Sequence, residues 1–266
     1  MHRSSAGVAL ALLSSLLFLV SSPAFAAGDP KVVEECARKN LPGDSSVQTL
    51  AIQTKDGSGA IKDMKGTIWW KKDAAGLSRV RVLVSEPPDM RGSGVLLVQQ
   101  SERTDLFVYL PEMKKVRRVT GRMMSGSLFG TDITYEQLER IQGVARDTGA
   151  ERLDDDVIDG HPVYVLQSAP LVVEESEFSR VVSFIDKQTC LPLKVEFLGG
   201  DAQVRRVLEI DPAKIVPQGK GFVPTHITLK DLPSKTETVL VVEKIELDAP
   251  IPDKDFSQGA LESVGR

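Results

Sequence analysis

Apolar and polar residues alternate along most of the chain with a period of two. Met64, Gly66, Ile68 and Trp70 take turns with Lys65, Thr67 and Trp69, and Val80, Val82 and Val84 with Arg79, Arg81 and Leu83. Successive side chains on a strand point to opposite faces, so this alternation predicts half-buried strands. The pattern returns at 95–100, 106–110, 116–119, 162–168, 180–186, 193–198, 204–210, 226–232 and 238–247. Hairpin-sized turn clusters separate several of these runs: Asp73-Ala74-Ala75-Gly76, Asp159-Gly160, Asp186-Lys187-Gln188-Thr189 and Gly199-Gly200-Asp201. The reading is a mostly β protein built on a large antiparallel meander. A single sheet of roughly ten strands tends to curl, and its concave face must then be filled by side chains, a helix or a ligand.

Three segments depart from the alternation. Asp29-Pro30 ahead of Lys31 to Arg38 supplies a capping residue and a first-turn proline, which predicts a short helix ending by Leu41-Pro42-Gly43. Glu86 to Gly94, with Pro87-Pro88, reads as a loop. Gly121 to Gly143 reads as a loop entering a short helix, and Thr134 with Gln137 fits a capping box. This last segment carries Met123, Met124, Leu128, Phe129 and Ile133. Apolar residues in a long loop fill the core or cover something.

The N-terminus carries an export signal. Met1 to Arg3 is a short basic start, Val8 to Val20 is almost wholly apolar, and Ala24-Phe25-Ala26 has the small-x-small form of a cleavage site. Residues 1–26 are read as a secretory signal peptide and residues 27–266 as one exported domain. The apolar run of about 13 residues falls short of the roughly 18 that span a bilayer. Cys36 lies ten residues past the cleavage site, in polar surroundings, so no lipid-anchored N-terminus is expected.

Charge and cysteine content narrow the chemistry. With 33 Lys+Arg against 37 Asp+Glu, the chain has a formal charge of −4 and no global positive field, which argues against nucleic acid as the main partner. Cys36 and Cys190 are the only cysteines; in an oxidising compartment they are either one disulfide or two buried, inert thiols. After the signal peptide only His161 and His226 remain, with no His-x-x-x-His, Cys-x-x-Cys or Gly-x-Ser-x-Gly spacing, so no catalytic residue, metal site or cofactor is assigned. Asp154-Asp155-Asp156 with Asp159, and Glu174-Glu175 with Glu177, are read as solvated acidic turns.

Val108-Tyr109-Leu110-Pro111-Glu112-Met113-Lys114-Lys115-Val116-Arg117-Arg118-Val119, followed by Ser125 to Glu136 (SGSLFGTDITYE), resembles the outer-membrane lipoprotein-sorting protein family, the LolA-like superfamily. A later hairpin at Asp186 to Phe197 fits the same family, and the chain as a whole looks more like its broader uncharacterised branch. The resemblance implies a curved, incomplete antiparallel barrel closed by short helices, with an apolar interior for acyl chains and no enzymatic activity. It also implies a periplasmic carrier of a lipid or lipoprotein, with an inner-membrane exporter and an outer-membrane acceptor as partners. The other reading is a non-enzymatic adaptor subunit of an exporter whose sheet interior is simply filled.

Two residue sets follow as candidates. Trp70, Met123, Met124, Leu128, Phe129 and Ile133 are the acyl-contact and lid set, or else ordinary core. Lys114, Lys115, Arg117, Arg118 and Arg122 meet headgroups or a membrane surface, or else form a solvated face protecting an edge strand. Asp132 is expected as a local loop or helix-start acceptor and Tyr135 as a packed ring. Trp69 and Trp70, being adjacent, are expected on opposite faces of one strand.

Overall fold

The computed structural model describes residues 28–40, 43–144, 147–170 and 176–264. The signal-peptide reading of residues 1–26 lies outside these. Helix α1 spans Pro30–Arg38, with Pro30 in the first turn and the Asp29 carboxylate accepting from Lys31 N at 2.9 Å. Six strands follow: β1 (Ser45–Lys55), β2 (Ile61–Lys72), β3 (Ser78–Glu86), β4 (Gly94–Gln99), β5 (Thr104–Leu110) and β6 (Lys115–Val119). A 3-10 turn over Gly121–Ser125 and helix α2 (Tyr135–Ile141) separate these from β7 (Asp147–Ile158), β8 (His161–Pro170), β9 (Arg180–Asp186), β10 (Pro192–Leu198) and β11 (Val204–Ile210). A small hairpin, β12 (Ile215–Gln218) with β13 (Gly221–Pro224), precedes β14 (His226–Asp231) and β15 (Thr236–Leu247). The chain ends in a 3-10 turn (Asp253–Phe256) and helix α3 (Gln258–Val264).

Thirteen strands form one antiparallel sheet in the order β6-β5-β4-β3-β2-β1-β15-β14-β11-β10-β9-β8-β7. It is open, with β6 and β7 as its edges, and among the described residues no helix is long and apolar enough to cross a membrane. The sheet must be strongly curved, as a length argument shows. Glu136 on α2 accepts from Ser176, just ahead of β9, while the carbonyl of Val144 accepts from Thr104 at the start of β5. On a flat sheet β5 and β9 would lie about 43 Å apart at ~4.8 Å per strand. Residues 136–144 span at most about 28 Å even fully extended.

The curl gives the sheet two different faces. Met64, Ile68 and Trp70 of β2 and Val80, Val82 and Val84 of β3 point inward, in the phase their alternation predicts. They share one large core with residues of β5, β6, β9, β10, β11, β14 and β15, and with Leu128, Phe129, Ile133, Leu138 and Val144. The outer face of the β1–β6 half is covered by the chain's end: Ile251, Phe256 and Leu261 pack on Leu83, Leu96 and Tyr109. Arg81 there lies 4.5 Å over the Trp69 ring and donates to the carbonyl of Asp255 at 2.9 Å. Trp69 and Trp70 thus do face opposite ways, Trp70 into the core at 2% exposure.

Two long strands are not evident from alternation. β1 carries Val47 on the outer face and Leu50 and Ile52 on the inner, because both faces are covered there, and its register against β15 shifts between Thr49 and Leu50. β7 corrects the reading of Asp154-Asp155-Asp156 as turn residues. They lie within the strand, whose pairing to β8 shifts at Thr148/Glu151 and at Leu153/Asp156. The acidic composition reflects an exposed edge, where charge discourages pairing with other chains.

Cys36 and Cys190 are bonded, with their Cα atoms 5.2 Å apart. The bond joins α1 to the turn between β9 and β10, and Asn40 reinforces it by donating to Thr189 O at 2.8 Å and accepting from Phe222 N at 2.8 Å. A crosslink across 154 residues removes loop entropy from the unfolded chain worth about 4 to 5 kcal/mol. The paired variant Cys36→Ser/Cys190→Ser should therefore unfold at clearly lower denaturant than the oxidised protein, with most of that difference in stability. Coincident midpoints would show that the bond adds nothing to stability.

Candidate functional site

Residues 121–144 lie across the concave face, and the way they are held defines the site. The capping box forms as the sequence suggests: Thr134 Oγ1 accepts from Gln137 N at 3.1 Å, and the Gln137 side chain accepts from Thr134 N at 3.0 Å. Ahead of it the chain makes a tight turn, with Leu128 N donating to Ile133 O at 2.7 Å. Phe129 sits at the tip with φ +55, followed by Gly130 at φ +78. A left-handed backbone costs a bulky residue about 1–2 kcal/mol. Burial of the ring, which is 7% exposed, offsets this.

Most of the inner face is aliphatic, but one end is polar. Thr54, Thr236, Thr238, Arg206 and Asp231 form a collar there, on β1, β15, β11 and β14. The lid segment is fastened to this collar. Asp132 does not act as the local acceptor expected of it: its carboxylate accepts from the hydroxyls of Thr236 and Thr238, the latter at 2.8 Å, and its N–H donates to Thr238 Oγ1 at 2.9 Å. Arg206, which alternation places on the inner face with Leu208 and Ile210, donates to the Asp132 carbonyl at 3.1 Å and to Gln137 Oε1 at 3.4 Å. Its charge is balanced by Asp231 at 2.9 Å and Glu177 at 3.4 Å. A cation on an enclosed face without such partners would be strongly destabilising. Sequence reading passed over Arg206, whose only signal is a charge at an inward position of an otherwise apolar strand.

The structure brings together most of the candidate acyl-contact set. Trp70, Leu128, Phe129 and Ile133 are all buried in the main core, and Met124 packs against it, whereas Met123 is 45% exposed. An aspartate at Leu128 or Phe129 would place a charge in that core, so those two positions report on folding before they report on binding. The Trp70 Nε1 is buried with no hydrogen-bond partner. Lys114, Lys115, Arg117, Arg118 and Arg122 all lie along the free edge at β6 or in the turns flanking it, and are exposed. Tyr135 is partly buried against the core, as expected of a packed ring, and burial raises its hydroxyl above the ordinary tyrosine range.

A separate groove of about 740 Å³ opens near the Pro87-Pro88 turn, over Ala51, Met64, Val239 and Val241, with Lys65 and Arg91 at its border. None of the candidate acyl-contact residues lines it. The two histidines are far apart in the strand order. His161 Nδ1 stands 3.6 Å from Asp186, which also holds the β9–β10 turn through Thr189, and His226 neighbours the Thr225 hydroxyl. Among the described residues no cluster of three His, Cys, Asp or Glu is placed to hold a metal.

Glu139 on α2 is the most perturbed acid of the segment, pushed up to about 8 by burial first and by neighbouring Glu136 second, with Arg140 opposing. Because its folded value lies above the unfolded 4.5, the folded state binds its proton more tightly. Stability is full below about pH 4.5 and is lost progressively as pH rises to about 8. The Glu139→Gln variant should melt with the parent near pH 5 and clearly above it near pH 9, the gap opening between those values. A gap that does not widen with pH would contradict this placement of the carboxyl.

The architecture has close structural counterparts. A DUF1329 family protein from Desulfovibrio piger superposes with a TM-score of 0.79 at 18% identity, over 87% of this chain and 97% of the other. A putative outer membrane lipoprotein-sorting protein domain from Vibrio parahaemolyticus gives 0.78 at 19%, over 88% and 97%. A LolA superfamily protein from Nitrosomonas europaea gives 0.68 at 19%, over 88% and 100%. No curated protein matches the chain. A family model described as “Uncharacterized protein” matches residues 76–263, more than two thirds of the sequence. The chain belongs to that family, and its fold is that of the LolA-like proteins.

Proposed function

We propose that this protein is a periplasmic, non-enzymatic carrier that holds the acyl chains of a lipid or lipoprotein on the concave face of its sheet, beneath residues 121–144. It would pass them between an inner-membrane exporter and an outer-membrane acceptor. The observation that carries this reading is the contrast within one interface. The lid's Leu128, Phe129 and Ile133 meet the sheet through non-directional apolar contact, while its directional contacts sit outside that patch: Asp132 and Gln137 on the collar of Thr236, Thr238 and Arg206, Glu136 on Ser176, and the Val144 carbonyl on Thr104. Burying an acyl chain is worth about 0.8 kcal/mol per CH₂, so a chain replacing the lid's side chains recovers the burial that lid opening gives up. The unpartnered Trp70 N–H on the same face is a donor that an ester or amide carbonyl would satisfy. The lipoprotein-sorting domain and the LolA superfamily protein among the structural counterparts lend support at the level of fold.

A second reading is favoured by the filled interior. With Leu128, Phe129, Ile133 and Leu138 all packed inside, the domain is complete as it stands, as an adaptor subunit of an exporter would be.

Mass measurement separates the two. Protein purified natively from the periplasm should carry a stoichiometric extra mass that extracts into organic solvent as lipid. A bare mass that persists after incubation with lipid vesicles would overturn the carrier reading in favour of the adaptor. The Asp132→Ala variant, which loses two hydroxyl hydrogen bonds, should exchange a fluorescent fatty acid about ten-fold faster, corresponding to roughly 1.4 kcal/mol of lid docking. Unchanged exchange would remove residues 121–144 as the gate.

A further inference from the structure

We propose that the free edge of the sheet at β6, with the 3-10 turn that follows it, docks the protein on an anionic lipid surface. Residues 111–124 carry Lys114, Lys115, Arg117, Arg118 and Arg122 against the single acid Glu112, a net of +4 on a chain of −4. Arg118 is committed to Asp105, which also holds Arg103. Lys114, Lys115, Arg117 and Arg122 are exposed and have no ion-pair partner among the described residues. Edge protection accounts for charge on β6, since charge deters a further strand. It does not account for Met113 and Met123, 42% and 45% exposed, which stand at the two ends of this basic stretch.

Cations bordering adaptable apolar side chains match the chemistry of a lipid interface, where headgroup attraction and shallow apolar insertion add. The other edge of the sheet carries the opposite charge. The opposite edge, β7, carries Glu151, Asp154, Asp155 and Asp156, of which Asp155 alone is engaged with Arg152 and Lys187. An anionic surface therefore attracts one edge of the sheet and repels the other. The docking turn is also the start of the lid segment: Met123 is exposed while Met124, the next residue, packs against the core that contains Leu128 and Phe129. Docking rests on the carrier reading only for its purpose, delivery of the lid to a membrane. The surface itself stands without it.

Co-sedimentation with vesicles tests the surface. The protein should sediment with phosphatidylglycerol-containing vesicles and not with pure phosphatidylcholine, and high salt should release it. Neutralising one of the four unpaired cations should weaken binding about five-fold, and the pair Arg117→Glu/Arg122→Glu by at least about twenty-five-fold. Met113→Asp/Met123→Asp should weaken binding at low salt even though every cation is intact. All four side chains are exposed, so melting temperatures should stay at the parent value and exclude unfolding as the cause.

Equal sedimentation with neutral and anionic vesicles, or undiminished binding by the double glutamate variant, would overturn the proposal. So would failure on vesicles together with capture by an immobilised acidic protein, which would assign the patch to a protein partner. A fluorescent fatty acid titrated into the same samples keeps the two ideas apart. Acyl binding without vesicle binding leaves the carrier and removes the docking surface, and the reverse leaves the docking surface and removes the carrier.

Discussion

A sheet of thirteen strands that curls this far encloses a space, and the enclosed space has to be filled. That constraint governs the rest of the molecule. Aliphatic residues from nearly every strand point inward, and the excursion of the chain between β6 and β7 supplies most of the rest, with Phe178 ahead of β9. The excursion needs enough length to cross the opening and enough apolar side chains to pack there. It also needs a few directional contacts to fix its register over a surface that is otherwise uniform. Leu128, Phe129, Ile133 and Leu138 provide the packing, and Asp132, Gln137 and Arg206 the register. Without the hydrogen bonds to Thr236, Thr238 and Arg206, apolar contact alone would allow the segment many positions of similar energy.

Arg206 shows how this positioning is achieved. Placing a guanidinium on the inner face of a curled sheet is costly unless its charge and its donors are met. Asp231, directly opposite on β14, and Glu177 meet the charge, which leaves donors to spare for the Asp132 carbonyl and the Gln137 amide. The arginine is thus anchored to the sheet by ion pairs and offered to the lid through weaker, neutral bonds. The stronger set holds the arginine in place whether or not the weaker set is made.

Most of the architecture was legible as alternation, because most strands have one face covered and one face wet. Strands such as 180–186 and 204–210 can be read to the residue. Legibility failed where that condition failed. β1 is covered on both sides, so Val47, Leu50 and Ile52 show no single phase, and β7 is an edge interrupted by two register shifts and weighted with aspartates. The lid was visible as an apolar loop with a capping box, since both signals are local. Its fastening was not, because Asp132 meets residues more than a hundred positions away and Arg206 meets a lid that sequence gives no means of placing over it. Nothing in residue order distinguishes an arginine facing water from one facing a collar of partners.

The bond between Cys36 and Cys190 divides the molecule mechanically. Together with Asn40 it ties the approach to β1 to the turn between β9 and β10, which lie five and four strands away in the sheet order. It works as a chord across an arc: the tie spans the stretch from β1 to β10, while β2 to β6 lie beyond it, covered outside by residues 249–261 and inside by the lid. The covalent constraint on the sheet is therefore asymmetric. The tethered half is crosslinked across its arc, and the half that carries the basic edge and the root of the lid has no such covalent tie among the described residues.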